Sequence, residues 1–281
     1  MSSPPPQLFD PALLARRRDR ARSRFGQADF LHRAVAGEIE ERLQEVNKTF
    51  TKAAIIGWQA PLWAEIIGLP AVALPDAETL ALRPGAHDLV VHGLGLHWAN
   101  DPVGQLVQCR HALRPDGVLV AALFGGQTLH ELRAALAEAE VELTGGLSPR
   151  IAPMGELRDL GGLLQRAGFA LPVADIRRFD VTYPSALHLM AELRAMGESN
   201  VMAARLRKPM PRALPGRMAE IYAQHFPSAN GGVRATFEVA FLTGWAPAPD
   251  QPKPLRPGSA AARLADALGA EERPAGEKAG K

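Results

Sequence analysis

Residues 87–126 read HDLVVHGLGLHWANDPVGQLVQCRHALRPDGVLVAALFGG, and no other stretch restricts the fold as much. Asp88–His92 is a short run rich in Val and Leu, with Gly on either side of it. From Pro102 to Leu113, apolar side chains recur at Val103, Leu106, Val107, Cys109 and Leu113, the spacing of a helix face. Arg114-Pro115-Asp116-Gly117 reads as a turn, in which Pro115 presets φ and Gly117 accepts a positive one. Val118–Phe124 is a second, fully apolar run. Strand, helix and strand in this order make a βαβ unit, whose two strands are expected to be parallel and buried on both faces.

The flanking sequence extends this unit in both directions. Asp10 followed by Pro11 starts a helix that carries Arg16, Arg17, Arg18, Arg20, Arg22 and Arg24. These arginines surround much of the helix, which reads either as a solvated amphipathic lid or as a contact for an anion or a membrane surface. A second helix is expected over Asp29–Val46, with Leu31, Val35, Ile39, Leu43 and Val46 as its apolar stripe. Lys52–Gly57 is the first strand, residues 58–68 make a helix, and Ala71–Leu74 makes a short strand. Thirty residues separate Gly57 from Asp88. A full doubly wound sheet places two strands and three helices there, which takes on the order of 50 residues, so one strand–helix unit is missing. Beyond Phe124, Thr128 and Glu131 have the spacing of a capping box for the next helix. Met154–Ala167 is a further helix with Leu157, Leu160, Leu163 and Leu164 on one face. Pro172–Tyr183 and Arg234–Trp245 are β candidates that pair antiparallel, and residues 184–232 between them form an inserted helical cap.

The chain therefore divides into a disordered Pro-rich start (1–9), an α/β domain (10–246, its first helices within 10–48) and a tail (247–281) whose Ala, Pro and charge cannot build a core. Ala260–Leu268 has the composition of a transient helix. The one cysteine, Cys109, lies on a helix core face, which excludes an intrachain disulfide and a thiolate metal cage. The eight histidines are scattered, and no metal-ligand spacing is present. A net charge of +2 without interleaved aromatics gives no sign of nucleic-acid binding. No apolar run reaches the length of a membrane span, and the N-terminus lacks a secretory core, so a cytoplasmic protein with at most peripheral membrane contact is expected.

The residues LHWANDP (96–102), LFGGQTLHELRAAL (123–136), LRAMGESN (193–200) and the late Gly244-Trp245 carry a family resemblance over most of residues 8–246. Together with LRPDGVLV they resemble class I S-adenosylmethionine (SAM)-dependent methyltransferases. The finer pattern resembles the branch that holds the malonyl-carrier-protein methyltransferase of biotin synthesis and a mitochondrial complex I assembly factor regarded as a protein-arginine hydroxylase. The resemblance implies a doubly wound Rossmann-like sheet with SAM at the carboxyl ends of its strands. It places Gly57, Asp76, Leu94 and Trp98 at the cofactor, offers His97 as a catalytic base, and puts Glu198 and Asn200 of the cap against substrate. Bland readings stand beside these: Asp76 as a turn residue, His97 facing solvent or capping a helix, Trp98 in the core, and Gly197–Asn200 as a helix stop followed by a new N-cap.

The sequence departs from the family where the cofactor matters most. Relatives end the first strand in an acid within a pattern like DxGxGxG, whereas this chain has Ile55-Ile56-Gly57-Trp58-Gln59-Ala60-Pro61, with only Gly57 matching. Pro75-Asp76-Ala77-Glu78 resembles the acidic stretch after the family's third strand, and the second strand, with its ribose-binding acid, has no evident counterpart. Two functions follow from the resemblance. One is SAM-dependent methyl transfer to a protein or carrier-bound acid. The other is a non-catalytic binding or assembly protein, with a respiratory complex I subunit as partner and no cofactor.

Overall fold

Burial decides the centre of the molecule. In the computed structural model, which describes residues 7–251, Leu89, Val90, Val91, Leu119 and Ala121 are fully inaccessible, as strands covered on both faces require. The helices and strands in chain order are α1 (Pro11–Ala21), α2 (Phe30–Glu45), β1 (Ala53–Ile56), α3 (Ala60–Ile67), β2 (Ala71–Leu74), β3 (His87–Gly93), α4 (Pro102–Ala112) and β4 (Leu113–Gly125). They continue with α5 (His130–Thr144), α6 (Leu157–Arg166), β5 (Ala170–Tyr183), α7 (Ala186–Ala195), α8 (Leu214–His225) and β6 (Val233–Trp245).

Among the described residues the sheet has six strands in the order β2-β1-β3-β4-β6-β5. β1 is parallel to β2 and β3, and β3 is parallel to β4. β6 enters antiparallel between β4 and β5, so the chain leaves the edge strand β5, builds the cap helices α7 and α8, and returns one place inside that edge. One apolar core joins α2, α3, α5 and the cap to one face of the sheet, and a second joins α4 and α6 to the other. Each fully buried Leu or Val side chain in these layers contributes about 1.5–3 kcal/mol relative to exposure.

Several ends form as the sequence predicts. Asp10 accepts from Leu13 N at 2.9 Å and caps α1, and Asp101 accepts from Gly104 N at 2.7 Å and caps α4, each ahead of a proline at the first turn.

Other expectations need correction. In a doubly wound sheet the second strand neighbours the first, and the third lies outside it. Because β2 pairs directly with β1, it holds the second-strand place, and the missing strand is the outer one. Asp76 therefore follows the strand whose end normally binds ribose, not the third. The left-handed residue of the Arg114–Gly117 turn is Asp116 (φ 62°) and not Gly117. Thr128 and Glu131 do not form a capping box. Thr128 Oγ1 donates within reach of the Gly125 and Glu238 carbonyls (2.8 and 2.9 Å), while the buried Glu131 carboxylate accepts from Thr236 Oγ1 at 2.6 Å. No helix starts at Asn200; its Oδ1 accepts from Met202 N at 3.0 Å in a local turn. Phe9, assigned to a disordered start, is buried: it bridges Met202, and its N–H donates to Asn100 Oδ1 at 2.9 Å. The expectations for residues 1–6 and 252–281 lie outside the described residues, the helix at 260–268 included.

Candidate functional site

The carboxyl ends of β1, β2 and β3 meet beneath α1. Both oxygens of Asp76 accept from Arg18 Nη1, at 2.9 and 2.8 Å, and each side chain is 7% exposed. The Arg18 guanidinium also lies 5.8 Å from the Trp58 ring centroid, and Phe25 meets the same indole edge-on at 5.1 Å. Arg18 reaches inward because Leu14, Arg18, Ala21 and Phe25 follow helical spacing, which puts one arginine of the basic run on the buried face.

The glycines here let parts of the chain approach one another closely. A Cβ on Gly57 (φ 155°) would come within 2.6 Å of Gly93 O, and one on Gly93 would come within 2.8 Å of the Trp63 ring. A Cβ on Gly197 (φ 80°) would meet Trp58 at 2.9 Å, so the cap closes directly over that indole. Trp63 Nε1 donates to His32 Nδ1 at 3.1 Å, which leaves the imidazole proton on Nε2. Burial holds His32 down at a pKa of about 4, and it holds His92 below its ordinary value as well.

This arrangement does not fit SAM in its usual place. The ribose-binding position is held by an ion pair, Trp58 is packed between Arg18 and the cap, and the backbone that should face the methionine faces Gly93. Leu94, expected at the cofactor, turns its side chain into the core, and its N–H donates to Ala122 O at 2.9 Å. Three buried polar atoms beside the ion pair, Arg18 Nε, Trp58 Nε1 and His92 Nδ1, have no hydrogen-bond partner among the described residues. The closure is tight around a polar lining that it does not fully satisfy.

The other expected residues assemble on the cap side. Glu198 Oε2 accepts from Trp98 Nε1 at 2.8 Å and lies 3.2 Å from His97 Nε2. Phe124 N–H faces His97 Nδ1 at 3.5 Å, which directs the ring proton toward the carboxylate. Burial acts to raise the Glu198 pKa, but the neighbouring His97, its hydrogen bond to the acid and the Arg18 guanidinium outweigh it and hold the acid below the usual carboxylate range. His97 is thus buried, not solvent-facing, and Trp98 belongs to the cap contact, with Phe9 edge-on at 5.2 Å, rather than to the nucleoside side. Asn200 Nδ2 donates to Pro149 O at 2.8 Å and ties the cap to the loop after α5. That loop is fixed in turn by Glu140, which accepts from Ser148 Oγ at 2.6 Å and from Arg150 Nε at 3.0 Å.

Between these groups lies a cavity of about 560 Å³, bounded by His97, Trp98, Phe124 and Phe237 below and by the cap above. Sequence reasoning missed Arg18 and Phe124. Helical spacing would have exposed the first; the second stands one residue from Gly125 at the end of an apolar run. Among the described residues, no three His, Cys, Asp or Glu side chains are grouped as metal ligands, and no helix is long and apolar enough to cross a membrane.

Residues 20–121 match the family described as Methyltransferase domain. The chain is 34% identical over 286 residues to "Arginine-hydroxylase NDUFAF5, mitochondrial" of Danio rerio, covering 92% of this chain and 89% of that protein. The Homo sapiens protein of that name is 35% identical over 257 residues, covering 83% and 74%. "Malonyl-[acyl-carrier protein] O-methyltransferase" of Laribacter hongkongensis is 35% identical over 179 residues, covering 64% and 58%.

Proposed function

The chain belongs to the class I SAM-dependent methyltransferase superfamily, in the branch of the NDUFAF5 arginine-hydroxylase and malonyl-[acyl-carrier protein] O-methyltransferase proteins, and from that premise we propose that it is a methyltransferase-fold assembly factor that works without SAM. Its partner on this reading is a respiratory complex I subunit. The observation that carries the first part is the Arg18–Asp76 pair. Both oxygens of the Asp76 carboxylate are turned to one buried guanidinium, and the Trp58 ring packs against that guanidinium, so the acid meets an internal cation where the family presents it to a ribose. The cap side remains open, and a ligand enters there.

A second reading, SAM-dependent methyl transfer to a protein or carrier-bound substrate, is favoured by one specific feature. Asp76 stands at the end of the strand next to β1, where the family keeps its ribose-binding acid, and unpartnered buried atoms surround it. In such enzymes the protein acts mainly by holding the nucleophile in line with the methyl group. On this reading α1 must lift Arg18 away before the cofactor enters.

Calorimetric titration with SAM and with S-adenosylhomocysteine separates the two. The first reading expects no heat up to millimolar ligand. Binding at micromolar ligand would overturn it. The same titration on Arg18→Ala tests whether the pair alone bars the nucleoside.

A further inference from the structure

The cavity under the cap has two kinds of wall. Its floor is apolar and aromatic, with Phe124, Leu132 and Phe237 buried. Its rim carries six cationic side chains, of which two have acidic partners: Arg150 meets Glu140, and Arg205 meets Asp10 at 3.2 Å. Arg17, Arg194, Arg207 and Lys208 make no ion pair among the described residues. Arg17 Nε is buried with no acceptor, and its pKa is pushed down by burial and then by the charges of Arg205, Arg20 and Arg194. Cations gathered around an opening repel one another and create a positive potential that only an anion relieves. The one acid that lines the cavity among the described residues, Glu198, is engaged by His97 and Trp98.

We propose that this cavity binds a single-chain amphiphile, its hydrocarbon on the Phe124–Phe237 floor and its carboxylate or phosphate head among Arg17, Arg194, Arg207 and Lys208. A volume of about 560 Å³ is that of a small-molecule pocket, and such pockets combine apolar walls with a few placed polar groups. A bare anion would leave the floor wet, and an uncharged chain would leave the rim unanswered. A cationic side chain such as arginine meets repulsion from four free like charges before it reaches the floor.

The inference rests on the reading that the cap side receives the ligand, but its test is separate from that of the closed nucleoside site. The full chain is titrated calorimetrically with dodecanoate, dodecyl phosphate, dodecyltrimethylammonium and inorganic phosphate, each amphiphile below its micelle concentration. At least one anionic chain is expected to bind at micromolar concentration, and the comparison of the two identifies the head. The cationic chain should bind at least about tenfold more weakly, and the affinity of the anionic chain should fall with added salt. Inorganic phosphate alone should give no heat. Arg194→Glu/Arg207→Glu/Lys208→Glu, all exposed positions, should weaken the anionic chain by about tenfold or more at an unchanged melting temperature. If that variant melts early, the corresponding Gln substitutions give the same comparison. Equal binding of the cationic and anionic chains, or silence from both anionic chains, would overturn the proposal. A heat with SAM would overturn the closed-site reading and leave the dodecanoate and dodecyl phosphate arms to decide this one.

Discussion

Two regions at the carboxyl edge of the same sheet are built from similar materials and end in opposite states. On the β1–β2 side, one arginine meets one aspartate, and a tryptophan and three close-set glycines remove the remaining space. On the β4 side, a tryptophan and an acid meet again, but the acid is held by a histidine, and four cations above it make no ion pair among the described residues. The difference is one of charge matching. A hollow whose charges pair internally closes on itself, whereas one whose cations outnumber its acids stays open until something from outside answers them.

The comparison is broken most severely at Trp63. Trp63→Ala removes a fully buried ring packed on Gly93 and hydrogen-bonded to His32, and should cost about 3–5 kcal/mol in denaturant unfolding. A loss below 1 kcal/mol would mean that the nucleoside side is not close-packed. Next is the buried pair. Arg18→Ala strands the Asp76 carboxylate and should cost about 3 kcal/mol, while Arg18→Ala/Asp76→Asn should recover part of it. If the single and double variants are equally stable, the pair does not hold that side shut.

Acid tests the same region without mutation. His32 has a folded pKa of about 4, below its unfolded value near 6.5, so the folded state excludes the proton. Its stabilising effect is complete above the unfolded value and is lost as pH falls through this window, by roughly 3 kcal/mol in all. Stability curves from pH 7 to pH 4 should show this slope, and His32→Gln should flatten it. The smallest effect belongs to the cap side. Glu198→Gln keeps an acceptor for Trp98 and His97 and removes only the charge, for a loss of about 1–2 kcal/mol by thermal melting. A much larger loss would show that the cap side also depends on internal charge pairing.

The repeating features of the fold were legible because periodicity carries them. The apolar runs of β3 and β4, the Asp-Pro starts of α1 and α4 and the short β2 all follow from local rules. The LHW and MGESN segments were recognised separately, and the structure brings them together at Glu198. What local rules could not supply was partnership across the chain. The Thr128–Glu131 spacing mimics a cap, yet the carboxylate serves Thr236, 105 residues away. Arg18 looked like one charge in a solvated run because Asp76, 58 residues on, is invisible at helical range. The identity of β2 was misjudged for the same reason: a short strand does not announce which neighbour it will pair with, and pairing decided that Asp76 ends the strand beside β1.

The placement of two indoles has a practical result. Trp58 sits under Arg18 with no partner for its N–H among the described residues, and Trp98 lines the floor of the cavity with its N–H on Glu198. Of the chain's four tryptophans, these two touch neighbouring residues of one cap turn, Gly197 and Glu198, from the ion-pair side and from the cavity side. Spectra of Trp58→Phe and Trp98→Phe, compared with the parent, would show which side of that turn responds to any added compound without attaching a dye.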